Sequence, residues 1–261
     1  MALLGPTAAG KSSLSLEVAD ALAVPILACD SVVVYRGLDI GSAKPSAADQ
    51  ARVPHHLIDL VEPDATFTAL DYCRAAEPLI TSGSGLFVGG TGLYLRAVAL
   101  TTTEVPGDRP PGDPVRQAFE DRWTAAETRE GGSIHRELTA RDPKTAGEIH
   151  PRNAVRALRA LWLCECAGEA VSAVRARNPP RPRLELRIVV LDPGVATVDQ
   201  RIERRCDAML ERGLVEDEAG YAYSAARRDD DAYEWCDFVE AAVDNSLTGK
   251  ERFVRYFTIW H

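Results

Sequence analysis

Short apolar runs alternate along the chain with longer stretches whose apolar residues recur every three to four positions. Each run closes on Gly, Asp or another turn former, and this alternation predicts a parallel sheet with crossover helices. The predicted strands are Ala2 to Leu4, Pro25 to Cys29, His56 to Leu60, Leu86 to Val88 and Leu186 to Leu191. Helical spacing covers Lys11 to Ala23, Ala69 to Thr81 and Thr91 to Val98. Between Val105 and Pro114 the chain becomes rich in Pro, Gly and Asp, which predicts a boundary. From Val115 to Val174 the pattern is helical throughout, Asn153 to Cys166 included. A Pro and Arg rich connector, Asn178 to Arg183, then returns to the apolar run ELRIVVL. After Thr197 the segment VDQRIERRCDAMLERGL predicts one more helix, closing near Gly213. The chain shows no internal repeat and no low-complexity tract.

Between the first strand and the first helix lies GPTAAGKS, Gly5 to Ser12, which fits GxxxxGK[ST] in full. Its residues are Gly5, Pro6, Thr7, Ala8, Ala9, Gly10, Lys11 and Ser12. Glycines let backbone N–H groups wrap a phosphate, the helix N-terminus adds partial positive charge, Lys11 a full one, and Ser12 can ligate Mg²⁺. A chance match in this length is on the order of one in a hundred before the strand and helix context is counted. The predicted fold class is therefore α/β: a P-loop NTPase-like parallel sheet core with an inserted all-helical domain. The expected limits are 1–112 for the first part of the core, 113–180 for the insert, and 181–261 for the return to the core and the C-terminal helices. Nucleoside triphosphates are the usual occupants of such a loop, so the loop alone points to a small-molecule or nucleotide kinase.

Asp30 and Ser31 close the second predicted strand, on the rim that carries the phosphate loop if the sheet is parallel. A carboxylate there can bind Mg²⁺, take a proton from an attacking nucleophile, or simply cap a turn. Arg36 and Lys44 follow within one loop, where an anionic leaving group would need cations, or where a solvated loop would carry them.

Composition is that of an ordinary globular protein: 261 residues, 46% hydrophobic and 26% charged, enough to bury a core without disulfides or metal. No apolar run approaches the roughly 20 residues that span a bilayer, and the start lacks a signal-peptide pattern, so a cytoplasmic protein with no membrane partner is expected. The six cysteines (29, 73, 164, 166, 206 and 236) have neither CxxC nor paired His spacing and read as reduced structural thiols. A net charge of −9 argues against indiscriminate nucleic-acid binding. Locally the balance reverses. Residues 152–187 hold eight arginines against three glutamates.

The motifs together resemble the tRNA dimethylallyltransferases. GPTAAGKS resembles that family's GPTASGK[ST], and DSVVVYRGLDIGSAKP resembles its D-S-x-Q-V-Y-R-G-L-D-I-G-T-A-K-P. PHHLID, VGGTGLYLRA, IHPRN and VRALRAL follow in family order, so the likeness covers residues 1 to about 215. It implies transfer of a dimethylallyl group from dimethylallyl diphosphate to the exocyclic amine of the adenine just 3′ of a tRNA anticodon, without ATP. The loop would then grip a diphosphate leaving group through its backbone, Lys11, and Ser12 with Mg²⁺, helped by Arg36 or Lys44. Asp30 matches the general base, and Thr7 and Thr91 match substrate contacts. The tRNA-facing set implied is Asp30, Ser31, Val32, Val33, Thr91, Arg116, Val155, Arg156, Ala157, Leu158 and Arg159, which would engage the anticodon stem-loop. Arg156 and Arg159 lie three apart on one helix face. The target adenine must be turned out of its loop to react. A monomer is expected.

Three departures from the pattern stand out. Val33 replaces a common Gln. The I-G-Y-[RK]-E segment is approached only by AYEWCDF, and the closing Y-A-[KR]-R-Q-x-T-W only by FVRYFTIW, in which Tyr256 and Phe257 replace Arg and Gln. Altered RNA preference or weakened tRNA binding is the expected consequence of the segment Gly220 to His261. Two rival readings stay open on sequence grounds, a P-loop kinase and a catalytically weakened RNA-binding paralogue.

Overall fold

The computed structural model describes residues 1–101 and 105–214. The described residues form two compact units, one made of residues 1–99 and 184–214, the other of those between 100 and 183. The first is a sheet of five parallel strands: β1 (Ala2–Leu4), β2 (Ile26–Cys29), β3 (His55–His56), β4 (Leu86–Gly89) and β5 (Ile188–Val190). Their order is β3-β2-β4-β1-β5, and every pairing is parallel. Helices α1 (Lys11–Leu22), α2 (Ala47–Arg52) and α3 (Ala69–Ser82) connect the first four strands, α4 (Gly92–Ala99) follows β4, and α10 (Val195–Glu211) follows β5. Parallel pairing places all the strand ends, and so all the loops that leave them, on one rim.

Inside the sheet Leu27, Cys29 and Phe87 are buried with Tyr72, Leu95 and Val98 from α3 and α4. On the other face Leu3, Ile26 and Leu86 meet Ala19 of α1. β1, β2 and β4 are apolar throughout because both faces are covered, whereas Ile188, Val189 and Val190 of the edge strand β5 are exposed. β3 is a correction to the predicted strand at His56 to Leu60: it consists of His55 and His56 themselves. Leu57 (φ 65°) and Asp59 (φ 52°) turn left-handed immediately after, and an extended ladder cannot continue through them. α2 was not predicted, although Ser46 and Asp49 form a reciprocal capping box whose signature stands in the sequence.

The second unit is all helical: α5 (Pro114–Arg129), α6 (Ser133–Arg141), α7 (Pro143–Gly147), α8 (Ala154–Ala167) and α9 (Val171–Arg177). Its core gathers Phe119, Ile134, Leu138, Leu161, Trp162 and Val171, with Phe119 and Trp162 edge to face at 5.2 Å. Thr101 N–H donates to the Arg181 carbonyl at 2.8 Å, pinning the ends of the unit together. The fully buried Asp142 accepts from Thr145 N–H (3.0 Å) and Ser172 N–H (2.8 Å), capping α7 and tying the start of α9 to it. His150 begins no helix; its Nδ1 accepts from Arg152 N–H in the turn before α8, whose N-cap is Asn153. No disulfide joins cysteines among the described residues, and no helix among them is long and apolar enough to cross a membrane. The altered ending, Gly220 to His261, lies outside the described residues.

Candidate functional site

The phosphate loop occupies the turn between β1 and α1. Gly5 has no room for a side chain, since a Cβ there would lie 2.4 Å from the Leu191 carbonyl oxygen. Gly10, at φ 98°, is the N-cap of α1 and needs the left-handed backbone open to glycine. Lys11 folds its ammonium back over the loop, donating to the carbonyls of Gly5 (3.0 Å) and Pro6 (2.7 Å). Burial lowers the Lys11 pKa, Asp30 opposes that shift, and Arg205 adds to it. The ammonium is thus partly desolvated, which strengthens its attraction for a phosphate anion.

The loop opens on a cavity of about 710 Å³. It is lined by Thr7, Lys11 and Ser12 of the loop, by Asp30 and Gly89 at the strand ends, and by Arg205 and Arg212 of the α10 segment. Asp30 stands at the C-terminal end of β2 as predicted, its Oδ1 accepting Val32 N–H at 2.9 Å. Ser31 N–H donates to Thr91 Oγ1 at 3.0 Å, and Thr91 N–H to the Cys29 carbonyl at 3.1 Å. Ser31, Val32, Val33 and Thr91 also line the cavity, although both valines are largely buried. Val33 therefore presents an apolar surface where the family pattern commonly carries Gln.

The two loop cations separate. Arg36 lies outside the cavity lining. Its guanidinium donates to Glu62 at 2.8 Å and to the Asp59 carbonyl at 3.0 Å, so the expectation that it meets a leaving group there is corrected by a local carboxylate that holds it elsewhere. Lys44 does line the cavity, but it is only 5% exposed and pairs with Asp39 at 2.7 Å and Asp59 at 2.6 Å. Two carboxylates more than cancel one ammonium, leaving Lys44 little attraction for a diphosphate.

The cations that do reach the loop come from α10, a helix to which sequence reasoning gave no role. Arg205 Nη1 donates to Thr7 Oγ1 at 3.1 Å, and Arg201 Nη1 donates to the Ala9 carbonyl at 3.0 Å. Their four-residue spacing, readable in RIERR, was the available signal, since such residues share a helix face. Ser12 lines the cavity with Lys11. Among the described residues no group of three His, Cys, Asp or Glu could hold a metal ion. A lone hydroxyl beside a phosphate site suits Mg²⁺, which keeps waters and phosphate oxygens as its other ligands.

In the helical unit the expected RNA-facing residues differ in availability. Val155 (80% exposed) and Arg156 stand out from the first turn of α8. Arg159 is committed to Asp108 by two hydrogen bonds of 2.7 and 2.6 Å, and Arg116 to Glu120 at 2.7 Å. Leu158 packs against the core and Ala157 is wholly buried within it. Ala157 is a correction to the expected set, because a buried methyl offers a nucleic acid no surface.

A family model described as IPP transferase matches residues 33–242, and one described as isopentenyl transferase matches residues 1–59. A tRNA dimethylallyltransferase from Azoarcus sp. (strain BH72) is 41% identical over 225 residues, covering 83% of this chain and 68% of that protein. The tRNA dimethylallyltransferase 1 of Citrifermentans bemidjiense is 40% identical, covering 84% and 72%. Among solved structures, the full-length tRNA isopentenylpyrophosphate transferase of Bacillus halodurans superposes with a TM-score of 0.58 at 32% identity, covering 98% of this chain and 83% of its own. A eukaryotic dimethylallyltransferase acting on tRNA shares the fold, with a TM-score of 0.78 at 19% identity over 99% of this chain and 67% of its own.

Proposed function

The chain belongs to the IPP transferase family, and from that premise we infer that it transfers a dimethylallyl group from dimethylallyl diphosphate to the exocyclic amine of the adenine 3′ of a tRNA anticodon. The observation that carries this reading is one shared cavity lined by both the phosphate loop with its lysine and Asp30. A carboxylate beside a phosphate loop can serve phosphoryl transfer to a hydroxyl as well as alkylation of an amine. The family match favours alkylation.

In the reaction the adenine nitrogen forms a bond to the allylic carbon while the bond from that carbon to the diphosphate oxygen breaks, its electron pair leaving on diphosphate. Backbone N–H groups of the loop, Lys11 and Arg205 stabilise the charge that accumulates on the leaving group. Lys11 must exchange the Gly5 and Pro6 carbonyls for phosphate oxygens as the donor binds. Asp30 accepts the amine proton, which becomes acidic only as the bond to carbon forms. Ser12 would hold Mg²⁺ against the diphosphate, and that ion, when bound, neutralises part of the leaving group's charge. Thr7, tied to Arg205, shapes the loop at the reacting end. Exposed Val155 and Arg156 support contact between the helical unit and the anticodon stem-loop.

Incubation of the full chain with labelled dimethylallyl diphosphate and unmodified tRNA tests the reading. Label should appear in tRNA with release of diphosphate, and ATP in a parallel incubation should stay intact. ATP consumption with no label in tRNA would overturn the proposal in favour of a kinase.

A further inference from the structure

Thr91 matches a substrate contact in the family pattern, but its hydroxyl is engaged within the protein. Oγ1 accepts Ser31 N–H at 3.0 Å and donates to Ser31 Oγ at 3.4 Å. Among the described residues these are its side-chain hydrogen bonds, and they reach 60 positions back along the chain. A threonine immediately before a helix commonly turns its hydroxyl toward that helix's own first N–H groups. Thr91 immediately precedes α4, yet its hydroxyl serves the end of β2 instead.

Several contacts converge on the same point. Thr91 N–H donates to the Cys29 carbonyl at 3.1 Å, and the Cys29 thiol donates to the Thr91 carbonyl at 3.4 Å. Burial pushes that thiol up to about 11, so it remains a neutral donor. Tyr72 Oη donates to the Ala28 carbonyl at 2.8 Å, bracing the strand one residue earlier. Gly89 pairs with Cys29 so closely that a Cβ would stand 1.9 Å from the Cys29 carbonyl oxygen. Asp30 is therefore flanked by fixed residues: Cys29 is held by β4 and Thr91, Ser31 by Thr91. Asp30 Oδ1 is spent on Val32 N–H. That leaves Oδ2 as the oxygen with no protein partner among the described residues, on a side chain that lines the cavity.

We propose that Thr91 is a positioning residue for proton transfer, acting through Ser31 to hold the Asp30 carboxylate against the cavity. The inference rests on the functional reading above, in which Asp30 receives the amine proton. Loss of the Thr91 hydroxyl frees the Ser31 N–H and lets the turn carrying Asp30 drift. Misplacement of a reacting group by about 1 Å costs on the order of a hundredfold in rate, more than the same displacement costs a single hydrogen bond in binding.

The experiment compares Thr91→Val and Thr91→Ser in the full chain, with dimethylallyl diphosphate and an unmodified tRNA transcript. Thr91→Val keeps the shape and removes the hydroxyl. Its kcat should fall by about ten- to a hundredfold, with KM for the donor and Kd for tRNA within about twofold of the parent. Thr91→Ser restores the acceptor and should recover most of the lost turnover. A general packing defect would not be rescued by serine, which removes the methyl. Should Thr91→Val fail to fold, Thr91→Cys substitutes, because sulfur is a weak acceptor of nearly the same size. An active parent whose Thr91→Val variant keeps its kcat, or loses tRNA affinity instead, overturns the positioning role alone. A parent that transfers no label overturns the functional reading and this inference with it.

Discussion

At the scale of single residues the site depends on which cation faces which anion. Lys11 and Arg205 face the cavity, while Lys44 and Arg36 are drawn off by Asp39, Asp59 and Glu62. Asp30 has one carboxylate oxygen committed to Val32 N–H, so its replacement separates chemistry from structure. Asp30→Asn keeps an oxygen for that bond and removes the base. Its turnover should fall by about two to four powers of ten, the usual span for general base catalysis, with tRNA affinity unchanged. Single-turnover transfer of label, alongside a binding titration, checks both halves, and a loss of binding with turnover preserved would give Asp30 a structural role. The phosphate loop and Asp30 were legible in the sequence because their chemistry depends on residues adjacent in the chain. Arg205 was not, since it reaches Thr7 across 198 positions and only the folded chain brings α10 to the loop. Arg36 misled for the complementary reason: nearness in sequence to Asp30 says nothing about Glu62, which takes its guanidinium.

At the scale of elements, the apolar runs and helical periods located β1, β2, β4 and β5 and helices α1, α3, α4 and α8 to within a residue or two, because covered central strands leave an uninterrupted apolar signature; α10 starts and ends three residues before the stretch expected for it. β3 escaped because backbone turns at Leu57 and Asp59, which no side-chain pattern announces, cut it to two residues. The short α7 and the start of α9 depend on Asp142, which is fully buried and accepts from the backbone and hydroxyl groups of both Thr145 and Ser172. Burial alone would raise its pKa, but the hydrogen bonds from Thr145 and Ser172 outweigh burial and hold it below the ordinary value of 3.8. A group whose folded pKa is depressed contributes stability above its unfolded pKa and loses it as pH falls through the folded one. Asp142→Asn puts an amide where two acceptor sites are needed and should cost about 2 kcal/mol at neutral pH. Urea titrations of parent and variant should show that gap narrowing as the pH falls below about 4; a gap constant with pH would mean the carboxylate charge is not what holds these helices.

At the scale of the whole molecule, an acidic chain of net charge −9 must bind a polyanion without collecting every other one. The sequence located its basic segment but could not tell which arginines are available, because availability is decided by carboxylates distant in the chain, such as Asp108 for Arg159. Of the arginines matched to tRNA contacts, Arg116 and Arg159 are engaged by carboxylates, whereas Arg156 is exposed at the first turn of α8. Counterion release makes each phosphate contact visible as salt dependence, about 0.7 to 0.9 in the slope of log K against log salt. Arg156→Ala should therefore weaken tRNA binding at low salt, reduce that slope by just under one, and leave urea stability unchanged. Arg159→Ala should do the reverse: it strips Asp108 of a bidentate partner while Trp162 Nε1 still donates to it at 2.9 Å, so stability falls by up to about 1 kcal/mol, as for partly exposed pairs, with a smaller change in slope. If instead Arg159→Ala loses the full slope of one contact at unchanged stability, Asp108 releases Arg159 to the RNA on binding, and the ion pair in the free protein is a resting position of a tRNA ligand.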